Sequence, residues 1–103
     1  MTMKALIHID ESEKIQLAIN NIKNLQKEPL ISEVVCVING DAVTQLVNLK
    51  IDSFNYIKVF VCQNSLNAHQ IDSEQIDHNY IIVSSGVVHI VKLQEDNYRY
   101  IKP

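Results

Sequence analysis

The stretch Ile57-Lys58-Val59-Phe60-Val61-Cys62-Gln63-Asn64-Ser65-Leu66 decides the fold. Ile57, Val59, Phe60 and Val61 form the β-branched and aromatic run of a strand covered on both faces. The run ends in a cysteine and turns at once toward a helix, with Asn64 and Ser65 as helix-capping residue types. A thiol at that junction meets backbone N–H groups and the positive end of a helix dipole. Both favour the thiolate. The competing reading of Cys62 is a small apolar residue that closes a strand, since free cysteine is among the most buried residue types.

On the amino-terminal side, Met3 to Ile9 reads as a first strand, with His8 its polar exception. Asp10 or Ser12 is placed to cap the following helix, with Glu13 completing a variant capping box. Ile15, Ala18, Ile19, Ile22 and Leu25 recur at helical spacing until Pro29. Glu33 to Asn39 is a second strand with Cys36 in its middle as a core thiol. Asn39-Gly40-Asp41 turns the chain, and Ala42, Val43, Leu46, Val47 and Leu49 predict a second α-helix, followed by a connector from Ile51 to Asn55. The third strand runs from Tyr56 to Cys62.

On the carboxyl-terminal side, a polar stretch from Asn67 to Asn79 holds Ile71 and Ile76 as anchors and Ser73 as a capping candidate. Tyr80 to Val83 is a fourth strand. After Ser84-Ser85-Gly86, the residues Val87, Val88, Ile90, Val91 and Leu93 predict a last helix with His89 on its outer face. Tyr98 to Ile101 is a short final strand.

Strands alternating with helices predict one α/β domain over residues 1–103: a three-layer α/β/α arrangement with a mostly parallel five-stranded sheet. Ligands of such sheets bind beyond the carboxyl ends of the strands. The candidates there are His8 and Asp10, then Asn39 and Gly40, then Cys62, Asn64 and Ser65, then Ser84, Ser85 and Gly86. Cys62 is the one strong nucleophile among them. Ser84-Ser85-Gly86 has the makings of an anion site, but its simpler role is to cap the last helix.

The 103 residues are 47% hydrophobic and 20% charged, enough to bury a core. A net charge of −3 gives no electrostatic footprint for nucleic acid. The absence of a signal-peptide pattern and of a long apolar run predicts a soluble, cytoplasmic chain with no membrane partner. Cys36 and Cys62 are far apart in sequence and read as free thiols. No dinucleotide or P-loop glycine motif occurs, and the four histidines lack ligand spacing, so neither a cofactor nor a metal is expected.

Cys62-Gln63-Asn64-Ser65-Leu66, Ser85-Gly86-Val87-Val88 and the ending from Leu93-Gln94 through Tyr98-Arg99-Tyr100-Ile101-Lys102-Pro103 resemble the DsrE/DsrF-like family. The opening Lys4-Ala5-Leu6-Ile7-His8-Ile9-Asp10 and the turn Val37-Ile38-Asn39-Gly40 fit as well. The resemblance spans about residue 3 to the end and is closest to the small stand-alone branch. It implies a homo-oligomer, trimer or hexamer, and persulfide sulfur carried on Cys62 between donor and acceptor proteins. The chain departs from relay members after the cysteine, where Gln63-Asn64-Ser65-Leu66 leads to Asn67-Ala68-His69-Gln70 and no Lys or Arg is near. Asn97 stands where relatives often have glycine.

Three readings follow. The first is a sulfur carrier using Cys62, stabilised by Asn64, Ser65 and neighbouring N–H groups. The second is a non-enzymatic binding module with a cleft lined by His8, Asp10, Asn39, Cys62 and Ser85 and an unreactive cysteine. The third is a small hydrolase or reductase in which His8 serves Cys62 as a base.

Overall fold

The computed structural model describes all 103 residues. The strands are β1 (Met3–Ile9), β2 (Ile31–Ile38), β3 (Lys58–Cys62), β4 (Ile81–Val83) and β5 (Tyr98–Ile101), and the α-helices are α1 (Ile15–Gln26), α2 (Gln63–Ala68) and α3 (Gly86–Glu95). The sheet order is β4-β3-β2-β1-β5, and every pair is parallel. The chain steps outward from β1 to β4. Then α3 carries it back across the sheet to β5, on the far side of β1.

Burial explains why β1 and β2 are apolar nearly throughout. Both are interior strands covered on both faces, and Ala5 to Ile9 and Val34 to Ile38 are buried without interruption. The two faces are unequal. One carries a core of 19 buried residues, in which Ile15, Ala18, Ile19 and Ile22 of α1 and Leu66 of α2 meet Ala5, Ile7, Ile9, Cys36, Val59 and Val61. The other is covered by α3 alone, and Leu6, Val35, Val37, Ile90 and Leu93 form a five-residue core.

Several local expectations are corrected. Residues Gly40–Asn48 form a 3-10 helix, not an α-helix. Val43, Leu46 and Leu49 recur every three residues, which suits three residues per turn, and the β-branched Val43, Thr44 and Val47 weaken the α form. Residues Ile51–Phe54 are also 3-10 rather than a plain connector, and they deliver Phe54 to the core. Asp72, not Ser73, caps the short turn Ser73–Gln75, in a capping box with Gln75. The box expected at Asp10 and Glu13 does not form: Asp10 pairs instead with Lys102 Nζ at 2.5 Å.

His89 does not lie on the outer face of α3. Gly86, Ile90 and Leu93 set the inward stripe, and His89 sits beside it with its ring 4.2 Å from that of Phe60. Its Nε2 is buried without a hydrogen-bond partner. Burial, aided by Lys92, holds the imidazole below its ordinary value of 6.5. The unfolded chain therefore binds this proton more tightly than the folded one. Stability should fall as pH drops past 6.5, with the loss complete below the folded value. Asp10, Asp41 and Asp77 are held below their ordinary 3.8 and act only in stronger acid. Urea midpoints measured from neutral pH to about pH 5 should decline, and His89→Gln should flatten that decline.

Candidate functional site

The site forms where β1, β2 and β3 end and α2 and α3 begin. Alternate residues of a strand share a face. His8 continues the side of Leu6, Asn39 that of Val37 and Cys62 that of Phe60, and all three fall on the side covered by α3.

Cys62 is itself the N-cap of α2, its sulfur accepting from the Ser65 N–H at 3.4 Å. Asn64 and Ser65, expected as caps, lie inside the first turn. Burial pushes the Cys62 thiol up. The Ser65 hydroxyl and the N–H groups of Gly86, Ser65 and Asn64 outweigh it and bring the thiol below its ordinary value. Ser65 does a second task, because its Oγ accepts from the Gly40 N–H at 2.8 Å. The residue Cys62 is only 5% exposed. Cys36 is 0% exposed, and burial drives its thiol far up.

Two glycines permit this packing. Gly40 has φ +58°, and a Cβ there would stand 3.1 Å from the Asp10 carbonyl oxygen. Gly86 is wedged between strand ends: its Cβ would stand 3.1 Å from Asn39 Cβ and 3.2 Å from Cys62 Cβ. Ser85 caps α3 through Oγ, which accepts from the Val88 N–H at 3.5 Å, while Ser84 lies in the bend before it.

His8 does not serve Cys62. Strands β1 and β3 are separated by β2, and both ring nitrogens are taken: Nδ1 by the Tyr100 hydroxyl at 2.5 Å and Nε2 by Asn39 Oδ1 at 2.8 Å. The base needed for a hydrolase is thus committed elsewhere. The cleft expected for a binding module also takes another form. Beside His8, a cleft of about 340 Å³ is lined by Val87, Ile90, Val91, Gln94 and Tyr100, without Asp10, Cys62 or Ser85. A larger one, about 550 Å³, opens at the opposite end of the sheet around Lys50, Tyr56 and Asp77. Nowhere do three or more His, Cys, Asp or Glu side chains gather as a metal centre requires.

Tyr100 and Lys102 are the residues that sequence reasoning missed. Finding them requires knowing that β5 lies against β1, where Tyr100 stands in register with Leu6. The period-two pattern of Tyr98-Arg99-Tyr100 gives the strand but not its neighbour.

The model of the DsrE/DsrF-like family matches residues 3–103. The solved structure of a protein of unknown function from Methanobacterium thermoautotrophicum is similar, with a TM-score of 0.84 and 25% identity over 98% of this chain and 99% of that one. A conserved protein of unknown function from Bacteroides thetaiotaomicron shares the fold, with a TM-score of 0.71 and 10% identity over 97% of this chain and 94% of that one. No curated protein matches. No helix is long and apolar enough to cross a membrane.

Proposed function

The chain belongs to the DsrE/DsrF-like family, and on that footing we propose that it carries sulfur as a persulfide on Cys62. The observation that supports this reading most is the sulfur's setting. The Ser65 N–H donates to Sγ at 3.4 Å, the Ser65 hydroxyl and the N–H groups of Gly86 and Asn64 help hold the thiol below its ordinary value, and no base is hydrogen-bonded to it. Sulfur transfer asks for a thiolate and not for a general base. The Cys62 thiolate attacks the outer sulfur of a donor persulfide, R–S–SH. The new S–S bond forms as the donor's S–S bond breaks, R–S⁻ leaves as a thiolate, and the proton stays on the outer sulfur. Passing the sulfur on repeats the exchange with a thiolate of the acceptor. No external oxidant is consumed, and the donors that hold the thiolate are equally suited to hold the persulfide anion.

The test is the pH dependence of Cys62 alkylation, read by intact mass. Its midpoint is expected below the free-thiol value of about 8.5, followed by a one-sulfur mass gain on exposure to a persulfide donor. The 5% exposure of Cys62 favours a second reading, a binding module of the same fold with an unreactive thiol. Alkylation only after denaturation would decide for it.

The carrier acts as a cytoplasmic homo-oligomer. Val87, Val88 and Val91 on α3 are 58%, 51% and 65% exposed on the thinly covered side of the sheet, a surface suited to a second copy. Light scattering should give a mass above one chain, and Val91→Glu should lower it to the monomer. A monomeric parent protein would remove the oligomer from this reading.

A further inference from the structure

A polar row crosses the sheet on the α3 side, from β5 to β3, and persulfide carriage on Cys62 alone does not account for it. The order is Tyr100, His8, Asn39 and, past Gly86, Cys62. Asn39 Oδ1 can only accept, so the network assigns the His8 proton to Nε2. Nδ1 then accepts, and the Tyr100 hydroxyl donates to it. With its oxygen committed to His8, the Asn39 amide turns Nδ2 toward Gly86, 3.6 Å from where a Cβ on that glycine would stand. Cys62 Cβ lies 3.2 Å from the same point. Nδ2 donates to no protein atom, so its N–H groups are free on the Cys62 side of the row.

His8 is 8% exposed and continues the strand face of Leu6, a member of the small core. A buried imidazole is costly unless both nitrogens are satisfied, and here they are. What it gains is an amide whose orientation is coupled to two other groups. Reversing Asn39 would require His8 to carry its proton on Nδ1 and the Tyr100 hydroxyl to change from donor to acceptor. It would also turn the amide oxygen toward an anionic sulfur, so a charged sulfur favours the orientation in which Nδ2 faces it.

We propose that Asn39 donates a hydrogen bond to the atom bonded to Cys62 Sγ, the outer sulfur of the persulfide, and that His8 and Tyr100 are positioning residues that hold the amide in the donating orientation. The identity of that atom rests on the carrier reading of Cys62. The residue contacts the transferred sulfur and not the resting thiol, which accepts from the Ser65 N–H.

The experiment has a loaded and an unloaded arm. In the first, protein loaded by a small-molecule persulfide donor is followed by intact mass, and the persulfide's alkylation rate is profiled against pH. Asn39→Ala should load, lose its sulfur several-fold faster, and shift that profile to higher pH. Tyr100→Phe removes one hydroxyl from a 41% exposed ring and should shift it the same way by less. The double variant should be no worse than Asn39→Ala. Additive losses, or a profile unmoved in Asn39→Ala, would overturn the proposal, since a merely structural Tyr100 would destabilise without moving the profile. In the unloaded arm, Cys62 is alkylated with anionic iodoacetate and neutral iodoacetamide. The rate ratio should fall in Asn39→Ala and in Tyr100→Phe. If the parent protein takes up no sulfur, the carrier reading fails and the ratio alone decides. An unchanged ratio removes the donor role too, and a lowered one keeps Asn39 as the donor to an anionic group of another ligand. Should Asn39→Ala not fold, Tyr100→Phe carries both arms.

Discussion

Cys62→Ser is expected to leave the fold intact and to abolish sulfur uptake entirely. The position is the N-cap of α2, and the present cap is a sulfur accepting from the Ser65 N–H at 3.4 Å. Serine oxygen is among the preferred N-cap acceptors, and exchanging a good cap for alanine costs about 0.5–2 kcal/mol. Serine therefore keeps the cap while alanine would not. The chemistry does not survive, because a hydroxyl with no base beside it makes no useful nucleophile, and the base candidate His8 is held by Tyr100 and Asn39. Cys36 offers no substitute: it is 0% exposed in the larger core, and burial disfavours its thiolate. Intact mass after exposure to a persulfide donor decides the matter. A sulfur retained by Cys62→Ser, or relocated to Cys36, would remove Cys62 from the mechanism, and a collapsed urea midpoint would show that the thiol is structural.

The parts of this chain legible in its sequence are those governed by local pattern. The unbroken apolar runs around Leu6, Val35 and Val59 announce interior parallel strands, because only a strand covered on both faces needs apolar residues at consecutive positions. The junction after Val61 likewise announces Cys62. What stayed hidden depends on neighbours remote in sequence. His8 and Tyr100 are 92 positions apart, and their bond exists only because α3 returns the chain to the far side of β1. The phase of α3 misled for a related reason. Its valines suggest an inward face, yet the small α3 side of the sheet is filled by Ile90 and Leu93, leaving Val87, Val88 and Val91 outside and drawing His89 onto Phe60. Capping is legible from oxygen-bearing side chains, so a sulfur cap such as Cys62 leaves no sequence signal, and the Ser65 bond to Gly40 joins the turns after β2 and β3, which no local pattern brings together.

Gly86→Ala should disturb stability and chemistry together. One methyl group at this position meets Asn39 Cβ at 3.1 Å and Cys62 Cβ at 3.2 Å, tighter than ordinary van der Waals contact. Neither neighbour is the loose end of a flexible side chain. Both are first carbons fixed to strand ends, so relief requires α3 to lift or the strand ends to part. Overpacking of this kind typically costs about 1–3 kcal/mol, readable as a lower urea midpoint. The same displacement draws the Gly86 N–H away from the Cys62 sulfur and opens the gap toward Asn39. The Cys62 alkylation midpoint should therefore rise toward that of an ordinary thiol. Ser85→Ala separates the two effects. It removes the α3 cap, for about 0.5–2 kcal/mol, without adding an atom between Asn39 and Cys62, so its midpoint in urea should fall while its thiol titrates as in the parent. If Gly86→Ala lowers stability and leaves the thiol unmoved, the Gly86 N–H contributes nothing to holding charge on sulfur, and the two-helix setting of Cys62 reduces to α2 alone.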